Sequence, residues 1–286
     1  MLTPAVLDRT VQAALEEDAP WGDVTCEALI PADAVATALL VAREPGVFSG
    51  APVFAAAFRL TDSRIEVTQT VPDGAPFAAG DVLATVHGPA RGVLTAERIA
   101  LNFTQRMCGI ATLTAAYVAE TAHTAARIAD TRKTTPGLRA FERQAVRDGG
   151  GHNHRRTLSD AVMAKDNHLA VLTRRGMSVT DALRRAIAQV PHTTHVEVEV
   201  DRPDQIEPVL AAGIGTIMLD NFSLDDLRAG VVQVGGRAVV EASGGVSLQT
   251  VRAIAETGVD VISVGALTHS ARALDLGLDI RIDEDD

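Results

Sequence analysis

Lysine is nearly missing from this chain. Of its 26 basic residues 24 are arginine, and the only lysines are Lys133 and Lys165. Both fall in the stretch from Arg132 to Lys165, which holds eight of the basic positions. A lysine ammonium is a compact, strongly hydrated charge, and a guanidinium does not replace it at a site built for it. Both lysines are therefore read as chemistry. Aromatic residues are also scarce, at 3%, which argues against a base-stacking nucleic-acid surface. A net charge of −11 argues against any polyanionic partner, although a local basic cleft still attracts small anions. Cysteine is limited to Cys26 and Cys108, too few and too far apart for a disulfide framework or a CxxC pair. A reducing cytoplasm is the expected location. Met1-Leu2-Thr3-Pro4 has neither the basic nor the apolar region of a signal peptide. No apolar run reaches membrane-spanning length.

What remains is an ordinary globular composition, 47% apolar and 22% charged over 286 residues, enough to bury a large core in one or two domains. The two parts of the chain read differently. Apolar spacing predicts a helix over about 3–17. From 35 to 90 the text reads as strand and turn: strands at 37–42, 65–71 and 82–86, with turns at Pro72-Asp73-Gly74 and Ala79-Gly80-Asp81. Thr95 opens a long helix to about 119, expected to break near Cys108-Gly109. From 126 onward, short apolar strands ending in polar residues alternate with helices. The strands end at Asp130, Lys165, Glu199, Asp220, Ser243 and Gly265. Helices are predicted at 179–190, 203–212, 224–229 and 248–257, the last with Ser247 as its cap. No G-x-G-x-x-G follows a first strand, so repeated βα units point to an α/β barrel rather than a dinucleotide fold. Strand periodicity puts Glu197 and Glu199 on one face, likewise Met218 and Asp220, and Val239, Glu241 and Ser243. Barrel interiors are normally filled by branched apolar residues, so carboxylates near strand C-termini mark an active-site face.

Six ordered motifs carry a closer resemblance. They are Asp130-Thr131-Arg132-Lys133-Thr134-Thr135-Pro136-Gly137-Leu138-Arg139, Gly149-Gly150-Gly151-His152-Asn153-His154-Arg155, Lys165-Asp166-Asn167-His168, Glu197-Val198-Glu199-Val200, Leu219-Asp220-Asn221-Phe222 and Ala242-Ser243-Gly244-Gly245. Together the chain resembles the quinolinate phosphoribosyltransferase family, from Trp21-Gly22-Asp23 to Gly265-Ala266-Leu267-Thr268-His269-Ser270. The resemblance implies an α+β open-faced sandwich domain over 1–108 and a TIM-like α/β barrel of unusual strand number over 109–270. A C-terminal segment, 271–286, would pack back on the N-terminal domain. It also implies a cytoplasmic homodimer with active sites shared between subunits, and a reaction of quinolinate with phosphoribosyl pyrophosphate that needs Mg²⁺.

On that resemblance Arg132, His154, Arg155 and Lys165 line the quinolinate pocket, and Arg98 enters from the other subunit. Lys133 and Lys165 hold phosphoribosyl pyrophosphate and neutralise the departing pyrophosphate. Glu199 and Asp220 stand near the ribose and Mg²⁺. Ser243, Gly244 and Gly245, placed just before a helix, join Gly265 and His269 in the 5′-phosphate site. The chemistry fits, since arginine forks bind carboxylates bidentately, Mg²⁺ takes hard oxygen ligands, and glycines open backbone N–H groups to phosphate.

Taken singly, each residue has a plainer reading. Glu199 or Asp220 alone reads as an ion-pair partner, His154 as a loop histidine, Gly244-Gly245 as a turn, and Arg98 as a solvated helix residue. His152, Asn153 and His168 are supporting residues. His87, His123, His192 and His195 are read as ordinary, and Arg174-Arg175, Arg184-Arg185 and the acidic end Asp283 to Asp286 as solvated surface. Arg143 stands where the family pattern leads one to expect lysine, and His152 where it leads one to expect a smaller residue. Two rivals remain. One is a paralogous transferase of the same fold acting on another acid, such as nicotinate or the substrate of a ModD-like relative. The other is a non-enzymatic anion-binding barrel.

Overall fold

The computed structural model describes residues 2–174 and 176–282, so Arg175 and the acidic end Asp283 to Asp286 lie outside the described residues. Contacts divide the chain into two units. One is built from three separate segments, Met1–Ala115, Thr134–Gly150 and Leu267–Asp286, and the other from Ala116–Lys133 and Gly151–Ala266.

In the first unit, Pro4–Asp18 forms helix α1, where Thr3 caps the N-terminus by accepting from the Val6 N–H and Pro4 occupies the first turn. Val24–Leu29 is the short α2, capped by Asp23. The main sheet is antiparallel, with Val35–Ala42 (β1), Glu66–Gln69 (β3), Val82–Pro89 (β5) and Leu276–Ile282 (β12) in the order β12-β1-β5-β3. Burial alternates along β1, so one face meets the core and the other does not. Gly46–Val47 (β2) and Pro76–Phe77 (β4) pair separately. The helix Ala51–Thr61 (α3) buries Val53, Phe54 and Phe58. The continuous strand-and-turn reading of 35–90 missed it, because an alanine-rich segment buried on most sides shows no sharp helical stripe.

The long helix is Ala90–Thr121 (α4), and it runs unbroken through Cys108-Gly109. The expected break does not exist. Gly109 serves packing instead: a Cβ there would stand 1.9 Å from the Arg272 carbonyl oxygen, a contact only glycine permits. Helix Arg139–Asp148 (α5) is tied to α4 through buried Glu142. Glu142 accepts from Arg106 Nε at 3.0 Å and from the Thr135 N–H at 3.1 Å, while Arg106 also donates to the Thr135 hydroxyl and the Thr268 carbonyl.

The second unit is a parallel, barrel-like sheet of six strands: Arg127–Ala129 (β6), Ala161–Ala164 (β7), His195–Val200 (β8), Thr216–Asp220 (β9), Val239–Ser243 (β10) and Val261–Ser263 (β11). Their order is β6-β11-β10-β9-β8-β7, and each lies where the sequence places a strand. Helices follow them: Asp166–Thr173 (α6), Val179–Ile187 (α7), Ile206–Leu210 (α8), Leu224–Val234 (α9), Val251–Ala255 (α10) and Ala266–His269 (α11). Beyond β6, His152 adds a parallel bridge to Ala129, donating to the Ile128 carbonyl and accepting from the Asp130 N–H.

Register sorts the two faces. Glu197 pairs with Thr216, Glu199 with Met218, Met218 with Glu241, and Asp220 with Ser243. These residues share one side of the sheet. The alternate residues Val198, Val200, Ile217, Leu219, Val240, Ala242 and Ile262 are buried. The apolar side anchors the unit, and the other carries polar groups in layers.

Candidate active site

Two sets of side chains occupy that polar side. At the strand ends, Lys165 follows β7 and Glu199 lies on β8, one register step on from the Ala164–Val198 pair. The Lys165 ammonium donates to Glu199 Oε2 at 2.5 Å. Lys165 remains nearly half exposed and Glu199 is mostly covered, so the pair opens toward solvent on the lysine side. On the next strand Asp220 accepts from the Asn221 side-chain amide at 2.7 Å. Asn221 is the one non-glycine among the described residues with a left-handed φ, 57°.

Asn221 also shapes the loop after β10. Its backbone N–H donates to the Ser243 carbonyl at 2.9 Å. A Cβ on Gly244, whose φ is +96°, would stand 2.1 Å from Asn221 Oδ1, so glycine is required there. Gly245 also has positive φ and nothing within 4 Å of a built Cβ. The placement just before a helix needs correcting: residues 248–250 form a turn and α10 begins at Val251, not at 248. Ser247 does not cap it; the Ser247 N–H instead donates to the Thr250 hydroxyl. Any phosphate here would meet loop N–H groups, not the first turn of α10. Gly265 precedes α11, and exposed His269 ends it, with its Nδ1 2.7 Å from the Ser270 hydroxyl.

The second set lies around His154. Asp130, fully buried after β6, accepts from the His154 N–H at 2.8 Å and from the Asn153 amide at 2.6 Å. This holds the 153–155 backbone against the end of β6. The His154 ring reaches Glu197 at 3.0 Å and Glu241 at 3.5 Å. Burial opposes charge on that ring, but hydrogen bonds to Glu197 and Glu241 outweigh it and push His154 up to about 10. Burial also pushes the Glu197 carboxyl up. Glu197 Oε1 is buried with no hydrogen-bond partner. Arg155 donates to the Ala161 carbonyl at 3.2 Å. It is lowered below the ordinary guanidinium range, first by burial and then by the charge of Arg132 nearby, with Glu197 acting in the opposite sense. A guanidinium beside another like charge forms a place where an anion relieves repulsion.

The residues singled out in the sequence thus fall into place as follows. Arg132, His154 and Arg155 come together; Lys165 and Glu199 come together; Asp220 and Ser243 are register partners. Lys133 is exposed on the loop after β6. Arg98 is exposed on α4, within the first unit. Arg174, Arg184 and Arg185 are exposed as expected. Glu197, Glu241, Ser263 and Asp130 were not singled out as site residues. The signal for two of them was present in the carboxylates at period two on strands that otherwise read apolar. An apolar cavity of about 590 Å³ also borders β7, with Arg155 and His168 among lining residues such as Val162, Leu183 and Val196. Its walls suit hydrocarbon rather than phosphate.

Among the described residues no helix is long and apolar enough to cross a membrane. A family model for the C-terminal domain of quinolinate phosphoribosyl transferase matches residues 110–279, and one for the N-terminal domain matches residues 23–108. The carboxylating nicotinate-nucleotide pyrophosphorylase of Mycobacterium leprae is 46% identical over 280 residues, covering 95% of this chain and 96% of that protein. The probable enzyme of the same name from Bacillus subtilis is 39% identical, covering 93% and 90%. A solved structure of NadC from Streptococcus pyogenes superposes with a TM-score of 0.94 at 40% identity, covering 99% of each chain. With both domain models matched in order and relatives aligned over nearly its whole length, the chain belongs to the quinolinate phosphoribosyltransferase family.

Proposed function

We infer that this chain transfers the phosphoribosyl group of phosphoribosyl pyrophosphate to quinolinate, giving nicotinate mononucleotide, pyrophosphate and CO₂ in NAD biosynthesis. It is a decarboxylating pentosyltransferase. The observation that carries the reading is the Arg132–Arg155 pair, two neighbouring guanidinium groups at the end of a barrel whose next strands present Lys165, Glu199 and Asp220. Quinolinate is a dianion with adjacent carboxylates, and paired planar forks suit it.

The pyridine nitrogen attacks C1′ of the ribose as pyrophosphate leaves. Positive charge grows on the sugar, and Glu199 and Asp220 stabilise it electrostatically. Lys133 and Lys165 offset the leaving group's charge. Ser243, Gly244, Gly245 and Gly265 hold the 5′-phosphate. The ring, now a pyridinium, accepts the electron pair left at C2 when the 2-carboxylate departs as CO₂, and a proton then takes its place. Glu199 and Asp220 are oxygen donors on adjacent strands facing one side, a donor set suited to Mg²⁺. When bound, Mg²⁺ would neutralise diphosphate charge. By contrast, the described group of three titratable ligands close enough to share an ion is His154, Glu197 and Glu241, and with its Nδ1 lone pair taken by the Arg155 N–H and its Nε2 facing the two carboxylates, that imidazole has no lone pair to offer an ion.

The working form is a cytoplasmic homodimer in which Arg98 of one subunit completes the quinolinate pocket of the other. What supports it is the exposure of Arg98, while its neighbours Ile99 and Ala100 are buried. Incubation with quinolinate, phosphoribosyl pyrophosphate and Mg²⁺, with release of CO₂ and pyrophosphate as readouts, tests the reaction. Turnover of nicotinate without CO₂, in place of quinolinate, would overturn it.

A further inference from the structure

Residues on or just after four barrel strands are linked through His154. His154 Nε2 stands 3.0 Å from Glu197 Oε2 on β8 and 3.5 Å from Glu241 Oε1 on β10. Glu241 also accepts the hydroxyl proton of Ser263 on β11. The His154 main chain is held by Asp130 at the end of β6. The other ring nitrogen, Nδ1, accepts the main-chain N–H of Arg155 at 2.7 Å. Both ring nitrogens are therefore engaged inside the protein.

We propose that Glu241, acting through His154, is a positioning residue for Arg155, the arginine that receives a quinolinate carboxylate. The proposal rests on the quinolinate reading of the site. Glu197 and Glu241 are only 4% and 3% exposed, and a buried carboxylate deprived of its donor is costly. Rotating the ring away from Nε2 contact would take the donor from Glu197 Oε2, whose partner oxygen Oε1 already has none, and leave Glu241 to Ser263 alone, so the imidazole is held. A ring so held fixes its Nδ1 lone pair in space. That lone pair in turn fixes the Arg155 peptide N–H, and with it the direction in which the Arg155 side chain leaves the backbone. The guanidinium end is held separately by the Ala161 carbonyl. Because the Arg155 N–H donates to Nδ1, the ring carries its proton on Nε2, where it faces the two carboxylates. This also accounts for two glutamates on strands whose interior places usually hold branched hydrocarbon.

The test is steady-state kinetics of wild type, Glu241→Gln, Arg155→Ala and the double variant, with each substrate varied in turn. Glu241→Gln is expected to raise the quinolinate KM about tenfold, as befits loss of a charge-assisted contact, and to move the phosphoribosyl pyrophosphate KM less than about twofold. In the Arg155→Ala background the same change should lose its effect on quinolinate. Equal effects on both substrates, no effect on quinolinate, or an undiminished effect without the Arg155 side chain would each overturn the proposal. Should Glu241→Gln fail to fold, Ser263→Ala removes only the hydroxyl donor. It is expected to raise the quinolinate KM by about two- to fivefold, and an unchanged KM would overturn the proposal. A wild-type protein that does not turn over quinolinate at all overturns the functional reading itself, an outcome separate from these.

Discussion

Lys165 and Glu199 meet at 2.5 Å across the ends of neighbouring strands, with the lysine nearly half exposed and the glutamate mostly covered. One carboxylate thus aims an ammonium whose remaining N–H groups face outward. An ammonium has three donors and no acceptor, so Lys165 can keep Glu199 and still bind a phosphate oxygen.

Lys165→Arg should therefore be severely impaired although its charge is kept. A flat guanidinium placed there shifts the diphosphate relative to C1′, and small misplacements cost on the order of 10²-fold in rate. Arg174→Lys and Arg184→Lys, on exposed positions, should stay within about twofold of wild type. Turnover of the three variants at saturating substrates and Mg²⁺ checks this. A wild-type rate for Lys165→Arg would show that the scarcity of lysine is composition alone.

Arg132→Lys should weaken quinolinate far more than phosphoribosyl pyrophosphate, because lysine lacks the bidentate fork. Binding titrations with each substrate would measure it. Equal losses for both would remove Arg132 from the carboxylate pocket.

Arg98→Ala and Lys165→Ala chains should each be inactive alone and partly active when mixed. In a heterodimer with shared sites, one site collects both defects and the other none. Verified heterodimers without recovery would place Arg98 in its own subunit's site.

Neither thiol should react in the native state. Cys108 is buried and its thiol is pushed up to about 12, first by that burial; Cys26 is pushed up to about 11, again chiefly by burial, with Asp23 nearby. The thiolate is the reactive form. A disulfide reagent at pH 8 should find almost no free thiol until denaturant is added, and then two per chain.

Glu44 offers a pH-dependent signature. The Arg272 guanidinium, helped by the Asp275 N–H, holds its carboxyl down to about 2. A depressed carboxylate contributes stability above its unfolded pKa, near 4.5, and loses it as pH falls through about 2. The difference in urea midpoint between wild type and Glu44→Gln should thus be largest near neutrality and vanish toward pH 2. A constant difference over that range would contradict the pairing.

The barrel strands were legible in the sequence because parallel strands buried behind helices read as short apolar runs, and their polar ends marked a candidate site. Glu199, Asp220 and Lys165 stood at those ends. Helix α3 was not legible, since Ala55, Ala56 and Ala57 give little contrast between faces. Gly109 was misread as a break because its meaning lies in Arg272, 163 residues later in sequence. Glu197 and Glu241 showed themselves as carboxylates at period two on otherwise apolar strands, but their meeting with His154, and the part of Ser263, were hidden, because only strand register brings them together.

The pairing of β1 with β12 has a consequence for synthesis. Ala36 lies opposite Ile282 in register, so one side of β1 stays without its neighbour until residue 282 has been translated. On the ribosome the nascent first unit would carry an open strand edge of eight residues through the whole period in which the barrel emerges. Such edges recruit other chains, and contacts so distant along the chain form late. Removing β12 should therefore reduce the yield of newly made protein more than it alters the chemistry of the barrel. A holdase chaperone binding nascent chains would be expected to engage this edge first.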